Sequence, residues 1–305
     1  MKDIIVIGKH GQLSRALASR SQAYGLNIVA AFDVEDQDLT APENEVRSFA
    51  QSLPQADGLI IAAAYTAVDN AEKEPKKAQA INETAPKIIA QECARRNIPL
   101  VHVSTDYVFN GESKTPWQPD DKTDPISVYG QTKLDGEIAV MASQARAVIH
   151  RTSWVYDGTG KNFLQTMLRL AKERDQLSIV HDQVGRPTYA GHLADACLVA
   201  LEKLIQEPNF QGGIFHVSNT GTNISWAEFA EAIFEAGSDY IPHRVNVKKI
   251  PSSEYPTPAK RPANSVMDTT LFESTFNYNI PSWEDGLKAA FAEWEDQQNS
   301  GKNNV

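Results

Sequence analysis

The sequence predicts an α/β fold, a doubly wound parallel sheet covered by helices on both faces. Short, almost purely apolar segments alternate with longer amphipathic segments through the first half of the chain, as expected for strands buried on both faces. A glycine-containing turn directly follows the first apolar segment. The chain has 305 residues, 41% of them hydrophobic and 22% charged, which suffices for a substantial core.

The apolar pattern places the main elements of the first half in order. A first helix is expected from Gln12 to about Tyr24, and a longer one from Ala78 to Arg96 despite Pro86. A further helix carries Tyr129. The predicted strands cover residues 4–7, 28–32, 58–62, 100–104 and 147–150.

After about Trp154 the pattern loosens and proline-rich segments surround the remaining helices. Ser225 and Ser282 are suitable N-caps for the last two of them. We expect a dinucleotide-binding domain in residues 1–155, and in residues 156–305 mainly a smaller substrate-binding domain, with some elements returning to the first. The predicted helices cover residues 163–172, 192–204, 226–235 and 283–294, followed by a frayed tail at 299–305.

Composition restricts the possible partners. The net charge of −10 argues against nucleic acid, because a phosphate-binding face needs clustered basic residues. No apolar run approaches the roughly 18 residues that a membrane-spanning helix needs, so no membrane partner is expected. Cys93 and Cys197 are far apart in helical patterns, which indicates buried packing residues rather than a disulfide or a metal site. Together these features predict a cytoplasmic protein.

The turn after the first strand has the position of a nucleotide-binding loop. Gly8 and Gly11 permit tight backbone geometry, and the helix that opens at Gln12 and Leu13 offers free N–H groups to a pyrophosphate. Ser14 stands where a third glycine is usual. A Gly-x-x-Gly pair is also compatible with a plain turn, but its place at the end of the first strand favours a nucleotide site.

Asp33 ends the second predicted strand, 22 residues after Gly11. A carboxylate there can accept hydrogen bonds from an adenosine ribose and would repel a 2′-phosphate, so NADH looks at least as suitable as NADPH. A solvated loop aspartate is the alternative. The choice of carboxylate stays open because Glu35, Asp36 and Asp38 follow closely.

Tyr129 and Lys133 form the most informative pair in the chain. In a helix they lie one turn apart on the same face. A fixed cation within about 4–6 Å favours the phenolate, so Lys133 is expected to lower the Tyr129 pKa toward neutrality. A tyrosine with such a pKa can exchange a proton with a carbonyl or alcohol oxygen.

Thr105 follows the strand at 100–104 and completes the predicted catalytic set. The glycine turn, Asp33, the small residues of segment 62–66 and Thr105 all follow strands. Because ligands bind outside the carboxyl ends of parallel strands, these groups should share one edge of the sheet. The chemistry predicted is hydride transfer to a carbonyl, with Tyr129 as proton donor, Thr105 bonded to the reacting oxygen, and Lys133 at the nicotinamide ribose.

These motifs resemble the extended short-chain dehydrogenase/reductases, and within them the branch that reduces the C4 keto group of a dTDP-linked 6-deoxy sugar. The resemblance covers most of the chain. The last three matching segments are specific to this branch, which makes them stronger evidence than the Tyr-x-x-x-Lys spacing. The segments are residues 8–13, 62–72, 104–109, 129–137, 151–156, 182–188 and 255–265.

The resemblance implies an NADPH- or NADH-dependent oxidoreductase that converts dTDP-4-dehydro-6-deoxy-L-mannose into dTDP-L-rhamnose for cell-surface polysaccharide. Arg261 is implied as a diphosphate ligand, because guanidinium binds phosphate bidentately, with a surface salt bridge as the alternative. Core packing is the alternative for Trp154. The implied cofactor contacts are Gly11, Gln12, Leu13, Asp33, Asp38, Leu39, Ala64, Tyr65, Thr66, Tyr129 and Lys133, and the implied sugar-nucleotide contacts are Thr105, Asp106, Trp154 and Arg261.

Two other functions stay open. One is another sugar-nucleotide reductase or epimerase with the same catalytic set. The second is a non-catalytic regulatory subunit resembling the beta subunit of methionine adenosyltransferase, against which the intact set weighs. Some relatives also place a glutamate of the first helix at a metal-linked dimer interface, where this chain has Arg15-Ala16. A Mg²⁺ site is therefore not favoured, and either a monomer or a homodimer is expected.

Overall fold

A six-stranded parallel sheet lies at the centre of the computed structural model, which describes residues 1–302, with side chains for residues 1–299. In chain order the strands are β1 (Lys2–Ile7), β2 (Leu26–Phe32), β3 (Gly58–Ile61), β4 (Leu100–Thr105), β5 (Ala147–Thr152), β6 (Val155–Tyr156), β7 (Gln176–Val180), β8 (Val184–Gly185), β9 (Thr188–Tyr189), β10 (Gly212–His216), β11 (Ile224–Ser225) and β12 (Asn246–Ile250). The helices are α1 (Gln12–Arg20), α2 (Glu43–Ser52), α3 (Val68–Ala71), α4 (Pro75–Gln79), α5 (Ala85–Arg96), α6 (Val128–Ala142), α7 (Phe163–Glu173), α8 (Ala190–Gln206), α9 (Trp226–Ala236), α10 (Thr270–Phe276) and α11 (Trp283–Lys302).

The central sheet has the strand order β10-β5-β4-β3-β1-β2, and each neighbouring pair is parallel. The predicted doubly wound fold is confirmed, and the five predicted strands are present with ends shifted by at most two residues. β10 was not predicted, since its first residues, Gly212 and Gly213, are disfavoured in strands. Gly212 is needed there, because a Cβ on it would lie 1.9 Å from the Ala147 carbonyl oxygen of β5.

Alternation along the buried strands divides the core into two layers. Ile4 and Val6 of β1 pack with α1 and α8 on one face of the sheet. Ile5 and Ile7 pack with α2 and α5 on the other face. All four side chains are at most 2% exposed, so β1 is covered on both faces, as the continuous apolar run predicts.

The helix predicted from 78 to 96 is continuous but not uniform. α4 passes through a π-helical turn, Ala80–Thr84, into α5. Pro86 lies in the first turn of α5 and has no N–H to donate to the carbonyl four residues earlier, that of Asn82. The π turn accommodates this interruption without ending the helix.

A third hydrophobic cluster lies in the second half of the chain, where α7, α9 and α11 pack with β7. Ser225 caps α9 in a reciprocal capping box with Glu228, and the Ser282 hydroxyl accepts from Asp285 N at 3.1 Å at the start of α11. Beyond residue 156, α8 packs on the central sheet and β10 is one of its strands. α11 continues to Lys302, and the rest of the tail expected at 299–305 lies outside the described residues.

Within residues 1–302, no helix has the length and apolarity to cross a membrane. Cys93 and Cys197 are both buried free thiols, in α5 and α8, and burial raises the pKa of the Cys93 thiol to about 12.

Candidate active site

A cleft of about 730 Å³ opens at the carboxyl ends of the parallel strands. It is bounded by the glycine turn after β1, the loops after β2, β3 and β4, the start of α6, and the segment between β5 and β6. Of the predicted site residues, all except Tyr65 and Arg261 line it: Gly8, Gly11, Gln12, Leu13, Asp33, Asp38, Leu39, Ala64, Thr66, Thr105, Asp106, Tyr129, Lys133 and Trp154.

The glycine turn lies close to the backbone of the loop after β3. Gly8 has φ of +102°, and a Cβ on it would lie 2.7 Å from the Ala63 nitrogen. Gly11 is the N-cap of α1, and no atom lies within 4 Å of the place its Cβ would take. The hydroxyl of buried Ser14 donates to the Gly8 carbonyl, so the serine in place of a third glycine ties the turn to the helix.

Asp33 is held by backbone donors at the edge of the cleft. Its carboxylate accepts from His10 N at 3.0 Å and from Val34 N at 2.8 Å. Burial alone would raise the Asp33 pKa, but the hydrogen bonds outweigh it and keep this pKa below its ordinary value. Asp33 and Asp38 line the cleft, so both remain candidates to bind a ribose.

The side chain of Tyr65 is directed away from the cleft. Its hydroxyl donates to Glu74 at 2.6 Å, and its ring packs in a small cluster with Ala71 and Ala78. Ala64 and Thr66, on either side, do line the cleft. The structure therefore does not bring Tyr65 to the predicted cofactor contacts.

Packing of α6 on the loop after β4 positions Tyr129. Ser127 caps the helix by accepting from Gly130 N at 3.1 Å. A Cβ on Gly130 would lie 2.2 Å from the Tyr107 carbonyl oxygen, so only glycine permits this close approach. The Tyr107 and Tyr129 rings meet edge to face, with centroids 5.4 Å apart. Tyr129 and Thr105 both line the cleft, where the Thr105 hydroxyl acts on the ionisation of the phenol.

The expectation that Lys133 lowers the Tyr129 pKa is wrong for this structure. Burial raises the Tyr129 pKa to about 12, with a smaller rise from Asp106, and the bond with Thr105 opposes both. Lys133 Nζ instead donates to the Val103 carbonyl at 2.6 Å. Burial lowers the Lys133 pKa to about 8, partly offset by Glu137. Desolvation thus sets both pKa values, and neither residue is among the causes of the other's shift.

A buried ion pair supports α6 from beneath. Arg151 of β5 and Glu137 of α6 are 3% and 1% exposed, and Arg151 Nη2 lies 2.7 Å from Glu137 Oε2. The Ser104 hydroxyl donates to Glu137 Oε1 at 2.5 Å. The pair links α6 to β4 and β5 one helical turn after Lys133, and the sequence did not predict it.

Asp106 is a buried acid beside Thr105. Thr105 Oγ1 donates to Asp106 Oδ1 at 3.1 Å. Burial raises the Asp106 pKa to about 6, against hydrogen bonds from Ser265 and Thr105 that lower it. Asp106 is therefore an acceptor on the cleft wall at neutral pH.

Trp154 and Trp226 form an aromatic wall of the cleft. Their ring centroids are 3.7 Å apart and the planes are inclined by 14°. From the sequence, Trp226 is only the first residue of a predicted helix, since its contact with Trp154 spans 72 positions and leaves no local pattern. Other lining residues that were not identified include His10, Arg15, Tyr107, Ser153 and Lys161.

Arg261 lies outside the cleft and is paired with Asp69. Its Nη2 is 2.8 Å from Asp69 Oδ2 and its Nη1 3.1 Å from Asp69 Oδ1. It lines a neighbouring groove of about 700 Å³ together with Asn264. The structure therefore shows the salt bridge that was the alternative for this residue.

No cluster of His, Cys, Asp or Glu among the described residues has the arrangement of a metal site. Arg15 of α1 is engaged in an ion pair, with Nη2 2.7 Å from Asp157 Oδ2.

Parallel strands, a glycine turn and a tyrosine–lysine helix at one sheet edge define a dinucleotide-binding protein of the short-chain dehydrogenase/reductase class. Residues 1–295 match the family model described as RmlD substrate binding domain. The chain belongs to this family, that of the dTDP-4-dehydrorhamnose reductases, which confirms the resemblance found in the sequence.

Relatives and solved structures agree over nearly the whole chain. The dTDP-4-dehydrorhamnose reductase of Escherichia coli is 41% identical, over 94% of this chain and 96% of the relative. That of Sinorhizobium fredii is 39% identical, over 93% and 95%. A Clostridium acetobutylicum dTDP-4-dehydrorhamnose reductase structure has a TM-score of 0.87 at 36% identity, over 96% and 99%. One from Bacillus anthracis, in complex with NADP, has 0.84 at 35%, over 96% and 99%.

Proposed function

We propose that this chain reduces the C4 keto group of dTDP-4-dehydro-6-deoxy-L-mannose with NADPH or NADH, giving dTDP-L-rhamnose. The observation that carries the proposal is that Thr105, Tyr129 and Lys133 line one cleft together with the glycine turn. The relatives named as reductases of this kind supply the substrate class.

The residues of the cleft fit a nicotinamide dinucleotide. Open space in front of Gly11, at the N-terminus of α1, leaves room for a pyrophosphate against free N–H groups. Asp33 or Asp38 would accept from a ribose. The dinucleotide supplies a hydride when bound. The NADP complex of the Bacillus anthracis relative supports NADPH as one cofactor, and the Asp33 carboxylate is the reason to expect NADH as well.

Tyr129 is the proton donor in this proposal. With a pKa of about 12 the phenol is protonated at neutral pH, so it can deliver a proton to the alkoxide formed at C4. Thr105 would hold the reacting oxygen. Lys133, with a pKa of about 8, is mostly cationic at pH 7 and can bond a cofactor ribose from the floor of the cleft.

The sugar nucleotide would extend from this centre toward the second half of the chain. Asp106 would accept a hydrogen bond from a sugar hydroxyl, and Trp154 would cover the sugar ring. Arg261 would leave its ion pair with Asp69 and bind the diphosphate instead. We further propose that residues 156–305 mainly form the substrate-binding domain. The enzyme would act in the cytoplasm as a monomer or homodimer.

A coupled assay tests the function. The purified chain receives the dTDP-4-keto-6-deoxy sugar with its 3,5-epimerase, and oxidation of NADPH or NADH is followed by absorbance. We expect turnover with both cofactors, and a loss of about 10²-fold or more in Tyr129→Phe, the scale of general acid catalysis. Tyr65→Phe is the matched control, since the Tyr65 hydroxyl bonds Glu74 outside the cleft, and it should keep near-normal rates.

The result also separates the competing functions. A normal rate in Tyr129→Phe removes that residue from the mechanism. Turnover of other keto sugars in preference to the dTDP-linked one indicates a different sugar-nucleotide enzyme. A regulatory subunit would turn over no keto sugar and would copurify with a stoichiometric enzyme partner.

A further inference from the structure

The backbone of Trp154 adopts a conformation that bulky residues rarely take. Its φ is +51°, in the left-handed region, and it lies between the ends of β5 and β6. Such a conformation is unfavourable for a residue with a large side chain, so the surroundings must hold it. Because Trp154 lines the cleft, what holds it also shapes the cleft wall.

The stacked ring of Trp226 supplies one restraint. The two ring planes are nearly parallel, with centroids 3.7 Å apart. Trp226 is itself fixed, because it opens α9 directly after the capping box of Ser225 and Glu228. The ring of Phe163 also packs against Trp226, with ring centroids 4.6 Å apart.

Gly185 supplies a second restraint. A Cβ on Gly185 would lie 2.9 Å from Cε2 and 3.0 Å from Cζ2 of Trp154, so the indole rests on bare backbone there. Gly185 belongs to β8, which pairs antiparallel with β11: Gly185 faces Ile224, and Val184 faces Ser225. One small sheet thus carries both Gly185 and the residue that precedes Trp226.

We infer that Trp226 is a positioning residue, which together with Gly185 holds the Trp154 indole as the sugar-side wall of the cleft. This inference rests on the proposed function for the identity of the ligand. Trp226 does not exchange protons or electrons in it. Its role is to fix the indole so that the sugar ring meets a rigid apolar surface.

The experiment compares four variants with the wild type in the coupled assay. Trp226→Leu should raise KM for the sugar nucleotide about tenfold, the scale of a lost aromatic pair, with KM for NADPH unchanged. Trp226→Phe keeps a ring and should restore most of the affinity. Gly185→Ala should raise the same KM, although Gly185 itself does not line the cleft. Trp294→Phe, a change in α11 away from the cleft, is the control and should leave both KM values unchanged.

A second readout does not depend on turnover. In a spectrum of the tryptophan indole N–H groups, the Trp154 signal, assigned by its loss in Trp154→Phe, lies in the ring current of Trp226. It should move in Trp226→Leu and Gly185→Ala but not in Trp294→Phe. If the wild type has no activity, the proposed function fails, and the Trp154 signal alone then tests whether Trp226 and Gly185 position the indole. An unmoved Trp154 signal in Trp226→Leu, or KM values for sugar nucleotide and NADPH that rise by the same factor, overturns the inference.

Discussion

At the scale of single residues, burial decides the ionisation of the two central groups. The Tyr129 pKa is raised to about 12 and the Lys133 pKa is lowered to about 8, so each group is biased toward its neutral form. The spacing of the two residues was readable from the sequence. Their pKa values were not, because desolvation depends on how α6 packs against β4, and the Lys133 ammonium meets the Val103 carbonyl.

Lys133 is therefore expected to lower the free energy of unfolding at neutral pH, although it is needed for activity. Its pKa lies below the ordinary 10.5, so between pH 8 and 10.5 the unfolded chain binds more protons than the folded one. The penalty is complete below pH 8 and vanishes as the pH rises to 10.5. The pKa difference corresponds to about 3 kcal/mol in the free energy of unfolding. Replacing Lys133 would remove this penalty, but it would also remove the hydrogen bond to Val103, which contributes about 1 kcal/mol.

Lys133→Met should accordingly be more stable than the wild type at pH 7, by about 2 kcal/mol, and should lose most of its turnover. Denaturant unfolding at pH 7 and pH 10 checks this, and the stabilisation should be smaller at the higher pH. Lys122→Met, a change at an exposed lysine, is the control and should be neutral at both. A Lys133→Met variant less stable than the wild type at pH 7 would contradict the argument.

At the scale of elements, α6 is placed by two glycines that allow backbone atoms to come close. Gly130 faces the Tyr107 carbonyl, and a Cβ on Gly136 would lie 2.0 Å from the Asn82 carbonyl oxygen in the π turn. That carbonyl is the one to which residue 86 would donate in a regular α-helix, and residue 86 is a proline without an N–H. The Asn82 side chain also donates to Thr132 Oγ1 of α6 at 3.1 Å and accepts from Tyr65 N at 2.8 Å.

The contacts of Asn82 mark the limit of what the sequence predicts about these helices. The sequence predicted the helix through Pro86 and the helix with Tyr129, because both follow local periodicity and capping rules. It did not predict that Asn82 would join them, since a contact 50 positions away leaves no periodic trace. The same reason explains why Glu137, Arg151 and Trp226 were not identified.

Gly136→Ala should destabilise the protein, even though alanine favours helices by about 1 kcal/mol over glycine. The added Cβ forces α6 away from the π turn, and overpacking of this kind costs about 1–3 kcal/mol. Thermal and denaturant unfolding give the net change. Ile138→Ala is the control on the same helix: the Ile138 side chain is 58% exposed, so its change should stay within about 0.5 kcal/mol. Unchanged stability in Gly136→Ala would mean that the helix relaxes freely.

At the scale of the whole molecule, the cleft depends on contacts between the two halves of the chain. The sequence predicted one sheet edge correctly, because the carboxyl ends of parallel strands lie together. It could not predict how the second half closes over that edge. The segment near Arg261 is joined to α3 through Asp69, which also accepts from Ala259 N at 3.2 Å.

Arg261 tests how the second half of the chain contributes to the cleft. An ion pair alone and a diphosphate contact predict different effects of Arg261→Ala on KM for the sugar nucleotide. Its pairing with Asp69 is partly exposed, and pairs of this kind contribute about 1 kcal/mol or less to stability. Charge-assisted bonds to a diphosphate contribute about 1.5–3 kcal/mol, which is tenfold or more in affinity. Arg261→Ala should therefore raise KM for the sugar nucleotide at least about tenfold and change unfolding little.

Asp69→Ala and Lys260→Ala separate the two roles of Arg261. Asp69→Ala keeps the guanidinium, so its KM for the sugar nucleotide should rise less than in Arg261→Ala. Lys260→Ala removes an adjacent exposed charge and should change KM little. Added salt should weaken sugar-nucleotide binding less in Arg261→Ala than in the wild type, because salt screens the contact that this variant lacks. If Arg261→Ala and Asp69→Ala have equally small effects on KM, Arg261 is only a structural link between the two halves of the chain. A diphosphate would contact Arg261 and not Asp69, so binding it requires the larger effect on KM in Arg261→Ala.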